Sequence, residues 1–135
     1  PLPAEAPVVR AGDQLLEDRG FLDGATVAHL KRQRQVDVII PLKANMLATQ
    51  EAIQLAAMAD KWEAHPSRAE QRIAWVHGVE HMWPECAVPL NACVIRFWNK
   101  KKKCTDHIVL VTTDLKLNAP WMVRHYEERP EIEQD

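Results

Sequence analysis

Val36-Asp37-Val38-Ile39-Ile40-Pro41-Leu42 decides how the rest of the chain is read. Its density of β-branched residues marks a buried strand. On its N-terminal side, Asp23-Gly24 opens a helical stretch over about 25–34, with Val27 and Leu30 facing inward. Earlier still, Gln14-Leu15-Leu16 is a short strand candidate that runs into Glu17-Asp18-Arg19-Gly20-Phe21. Strand, acid, helix, strand over residues 13–42 is a compact α/β unit. It sets Asp18 at the carboxyl end of its strand, where open α/β sheets place their ligands. Residues 1–12 hold Pro1, Pro3 and Pro7 without a clear period and read as a connecting segment.

Downstream, the pattern turns helical from Lys43 to about Trp62, with Glu51, Ala52, Leu55, Ala56 and Met58 among good helix formers. His65-Pro66 closes that stretch. Three β-rich runs follow, over 72–76, 92–98 and 107–113. The second and third are expected to pair as a hairpin, with 99–106 as the loop and Lys100-Lys101-Lys102-Lys103 at its tip. Trp75 and Trp98 fall within these strand patterns and are expected in the core. Asn118 is positioned as an N-cap, with Pro120 in the first turn of a last helix. Neither an internal repeat nor a low-complexity segment is evident.

The 135 residues suffice for one domain or most of one, and 47% hydrophobic with 27% charged residues is ordinary for a globular chain. A formal net charge of -2 does not announce a nucleic-acid binder, although local basic patches can bind phosphates regardless. No apolar run approaches the roughly 20 residues that span a bilayer, and the N-terminus lacks a signal-peptide pattern. Cys86, Cys93 and Cys104 are odd in number and irregularly spaced, so they do not read as a disulfide framework, and a cytoplasmic location is expected. His77 and His81 stand four apart without the intervening acid of a zinc helix motif, and Cys-x-x-Cys is absent.

The motif with chemistry in it is Tyr126-x-x-Arg129-x-x-x-Glu133, whose spacing places all three side chains on one face of a helix. Taken with Asp18-Arg19-Gly20, and with the flanking words at 36–43 and 111–114, it resembles the DDE transposases of the bacterial "insertion sequence four" family. The resemblance implies an α/β fold: the C-terminal part of an RNase H-like catalytic core, interrupted by a β-rich insertion. Residues 13–42 would be core, 43–116 helix plus insertion, and 118–135 a truncated helix with the last catalytic acid. It implies that Asp18 and Glu133 are two of three catalytic acids and ligands of Mg2+ (or Mn2+). Tyr126, Arg129 and Arg19 would seat DNA beside the scissile phosphate. DNA, as transposon ends, and a transposase dimer are the implied partners, with no membrane. The family's first catalytic Asp has no good counterpart here, so a fragment that is inactive alone is expected. Pro130 departs from the family pattern: either the helix kinks there, or a new helix starts at it.

The bland readings of these residues stand beside the functional ones. In isolation, Asp18 reads as a cap or turn acid and Glu133 as a solvated helix acid beside Glu127, Glu128 and Glu131. Asp23 reads as a helix cap, and Asp37 and Asp114 as edge or turn acids. Lys100, Lys101, Lys102 and Lys103 form either a solvated charge run or a grip on DNA phosphates, and Lys31, Arg32 and Arg34 carry the same two readings. The alternative function is a non-catalytic remnant that binds DNA or a transposase. A small β-rich structural domain without a DNA role is a third.

Overall fold

The computed structural model describes residues 14–16 and 24–127. They form one mixed α/β unit around a six-stranded sheet in the order β1-β2-β6-β5-β4-β3. The strands are β1 (Gln14–Leu16), β2 (Asp37–Pro41), β3 (Glu63–Ala64), β4 (Arg72–His77), β5 (Asn91–Asn99) and β6 (Cys104–Thr112). β1 runs parallel to β2, and every other pairing is antiparallel. The helices are α1 (Gly24–Gln33), α2 (Leu47–Ala59) and α3 (Ala119–Glu127), with a 3₁₀ turn at Val79–Met82.

The expected strand-helix-strand unit is present as β1, α1 and β2, a parallel pair joined by a helix as parallel pairing requires. The downstream strands do not form a separate layer. β6 pairs directly with β2, Ile39 opposite Thr112 and Pro41 opposite Leu110, so the β-rich part extends the same sheet.

Alternation along the strands builds two cores. Val38 and Ile40 of β2, Ala74 and Val76 of β4, Ala92 and Val94 of β5, and Val109 and Val111 of β6 face α1 and α2. On the other face, Ile39, Ile73, Cys93, Ile95 and Leu110 meet Ala119, Met122 and Val123 of α3. Ala48, Ala52 and Ala56 recur every four residues on α2 and are fully buried, so small side chains let this helix sit close to the sheet.

α2 is shorter than the sequence pattern, and both ends have a local cause. The Lys43 carbonyl accepts the Met46 N–H (3.2 Å) and the Thr49 hydroxyl (2.6 Å), which spends 43–46 on a turn. At the far end Asp60 is left-handed (φ 49°), and its N–H closes on the Ala56 carbonyl.

α1 is held against the loop before β5. A Cβ placed on Gly24 would lie 2.7 Å from the Cys86 nitrogen and 2.8 Å from the Glu85 carbonyl carbon. Arg32 donates to the Ala87 carbonyl. Gly24→Ala is therefore expected to destabilise the protein by about 1–3 kcal/mol in denaturant melts, because the opposing atoms are backbone and cannot rotate away. Unchanged stability would mean that this loop shifts freely.

Candidate nucleic-acid interface

The strand register points three features in the same direction along the sheet. β1 and β2 are parallel, and their carboxyl ends point the same way as the β5–β6 hairpin tip. Leu16 is level with Ile39, and through it with Thr112. From Thr112 to Cys104 the hairpin runs on for eight residues, about 27 Å at strand rise. α3 runs back along the sheet in the same direction, since Glu127 meets the β3–β4 turn, which adjoins the level of Arg96.

The tip is ordered by its own polar groups. Asn99 Oδ1 accepts the backbone N–H groups of Lys101 (3.0 Å) and Lys102 (3.1 Å), and Lys103 is left-handed (φ 54°). Asn99 Nδ2 donates to Asp106 across the hairpin at 3.0 Å. That bond, then the His107 N–H, holds the Asp106 carboxyl below its ordinary range. Lys100, Lys101, Lys102 and Lys103 are all exposed, and none is in an ion pair among the described residues.

Behind the tip lies an aromatic and basic surface that the sequence did not single out. Trp98, expected in the core, is instead 58% exposed, one rung from the end of the hairpin ladder. On the same face, the Arg96 guanidinium lies 4.2 Å from the Trp62 ring centroid, a cation–π contact, and His107 is cross-strand from Arg96. Burial and the nearby Arg96 lower the His107 pKa against the pull of Asp106, which leaves a neutral ring beside the guanidinium. The cross-strand pairing of Arg96 and His107 explains why only a paired reading could have found this surface. Trp75, also expected in the core, is half-buried against the cluster that includes Met122 and Val123 of α3.

The other basic cluster is structural in part. Lys31 pairs with Asp37 at 2.7 Å, and Thr113 Oγ1 donates to the same carboxylate at 2.9 Å, which fixes the start of β2. With Arg32 tied to Ala87, neither residue is spare for DNA. Asn118 caps α3 as expected, accepting the Trp121 N–H at 3.0 Å.

Of the expected catalytic group, Asp18, Arg19, Arg129, Pro130 and Glu133 lie outside the described residues, as does Asp23. Tyr126 lies in α3, half-buried against the apolar cluster beneath it. Among the described residues no group of three His, Cys, Asp or Glu side chains could hold a metal. Burial pushes the Cys86 thiol up to about 11 and the Cys93 thiol up to about 12, so both are protonated thiols at neutral pH.

Ser67, His65 and Glu127 superficially resemble a nucleophile triad, and their hydrogen bonds argue against it. His65 Nδ1 already accepts the Ser67 and Arg68 backbone N–H groups, both at 3.1 Å. The Ser67 hydroxyl donates to Glu127 at 2.9 Å, leaving the serine without a free base.

No family model, curated protein or solved structure matches the chain.

Proposed function

We propose that this chain is part of the catalytic domain of a DDE transposase, an RNase H-like core that cuts and joins DNA. The observation that carries the reading is a shared direction along the sheet. The carboxyl end of β1, the carboxyl end of α3 and the lysine-tipped hairpin with Trp98 all point the same way, the tip lying about 27 Å beyond the end of β1. DNA laid along this direction would span from the acid expected after β1 to the cations at the tip. Bound magnesium would stabilise the entering and leaving oxygens of phosphoryl transfer. Asp18 and Glu133 would each hold a metal, with the third acid supplied by sequence upstream of this core.

The test joins the chain to upstream sequence carrying that acid and measures magnesium-dependent nicking of supercoiled plasmid. Nicking is expected, and Asp18→Asn or Glu133→Gln should reduce it to background while DNA binding persists. Nicking that survives both substitutions would reject the assigned acids.

One observation favours a second reading, a remnant that binds DNA without cutting it. α3 packs on β4 and β5, and Glu127 sits by the β3–β4 turn, four strand spacings or about 19 Å from β1. Six more residues would advance only about 9 Å as a helix, though about 20 Å fully extended. Bringing Glu133 to Asp18 therefore requires the chain to turn back after Glu127, and Pro130 is suited to redirect it. DNA binding without nicking in the joined protein would support the remnant.

A further inference from the structure

The turn between β3 and β4 closes on α3 through a single carboxylate. His65 is buried, its side chain 1% exposed. Its Nδ1 caps the turn by accepting the Ser67 and Arg68 N–H groups, which requires the ring proton to sit on Nε2. That Nε2 faces Glu127 Oε2 at 3.6 Å. Ser67 Oγ donates to Glu127 Oε1 at 2.9 Å, and Arg68 Nε donates to Oε2 at 3.2 Å. Three neighbouring side chains of one turn thus converge on the last described residue of α3.

We propose that this cluster is a latch that positions the last described turn of α3, and with it the approach to Arg129 and Glu133, and that protonating His65 releases it. The consequence for Arg129 and Glu133 rests on the transposase reading; the latch itself does not. A second ring proton would occupy Nδ1 and point at two N–H donors, so both would lose their acceptor inside the turn. The charged and titratable groups facing His65 are Glu127 from α3 and Arg68 and Glu70 from its own turn. Burial of the ring outweighs the attraction of Glu127, and Arg68 adds to it, so the His65 pKa is lowered from 6.5. Glu127 and Arg68 are partly exposed, which screens their charges and leaves burial dominant. With a depressed folded value, the histidine's contribution is complete above about 6.5 and is lost as pH falls through the folded value.

The sequence showed only a helix-ending His65-Pro66 here, since the partner, Glu127, lies 60 residues from Ser67.

Amide hydrogen exchange followed by NMR from pH 7.5 to pH 5, corrected for intrinsic rates, tests the latch. Protection at residues 123–127 should fall about tenfold or more on acidification, while Ala52 and Ala56 of α2 hold theirs. His65→Asn keeps a side-chain oxygen to cap the turn but cannot titrate, so the acid response should disappear. Glu127→Gln should lower protection of the same amides already at pH 7.5. A flat wild-type profile, or an acid response that persists in His65→Asn, would overturn the proposal. Should His65→Asn not fold, the ring nitrogen shifts of the unaltered protein decide: a proton on Nε2 at pH 7.5 is expected, and one on Nδ1 overturns it. None of these readouts depends on DNA cleavage, so the latch and the transposase reading fail separately.

Discussion

Replacing Lys100, Lys101, Lys102 and Lys103 with alanine is expected to weaken binding to duplex DNA of arbitrary sequence by about 10²–10³-fold at 0.1 M salt. Each phosphate neutralised contributes roughly 0.9 to the slope of log affinity against log salt, so four contacts account for a slope of about 3.6. Side chains splaying from one turn do not all reach phosphates together, which sets the expected loss below that limit. The Asn99 scaffold matters to the magnitude. Two backbone N–H groups bonded to Asn99 Oδ1 hold the tip in one shape, so its backbone is ordered before DNA arrives. Fluorescence anisotropy over a salt series checks both quantities, with Lys116→Ala as a control on exposed charge elsewhere. A slope reduced by less than about one would assign the quartet to solubility, and the DNA reading would lose its main cationic support.

What the sequence made legible was local. The β-branched run at 36–42 is a strand because those residues fit a pleat buried on both faces, and Val38, Ile39 and Ile40 are buried. The hairpin and its tip followed from two β-rich runs separated by a polar loop, and the Asn118 cap followed from residue type. What could not be read was set by contacts distant in sequence. Nothing in 36–42 or 107–113 signals that the two pair, so the continuation of one sheet from β2 into β6 was not legible. Trp98 looked like core because its strand pattern is sound; it is exposed near the free end of the hairpin, and what covers a strand's face is set by tertiary packing. The candidate site divides the same way. The spacing of Tyr126, Arg129 and Glu133 is a sequence property, whereas the course of α3 over β4 and β5 is not, and the proposed transposase site depends on that course.

That dependence makes the packing beneath α3 the structural feature with the most functional weight, and Leu110 is the side chain that tests it. It is fully buried on β6, flanked across the sheet by Pro41 and Cys93, and it belongs to the cluster that receives Met122 and Val123 of α3. Leu110→Ala is expected to cost about 2–5 kcal/mol, the transfer term plus the cavity left between two layers that cannot fully close on it. Against a total stability of about 5–15 kcal/mol for a domain, that is a large fraction. Ile108 provides the internal comparison: two residues earlier it points to the same face, but it is 40% exposed where the hairpin leaves α3 behind. Ile108→Ala should therefore cost well under half as much in urea melts. Hydrogen exchange gives the sharper discrimination, because Leu110 faces only the α3 side of the sheet. Loss of protection should be larger in α3 than in α2, whose alanines pack on the opposite face. Equal losses in the two helices would mean that α3 is not a separately docked element, and a latch at its end would then have nothing independent to hold.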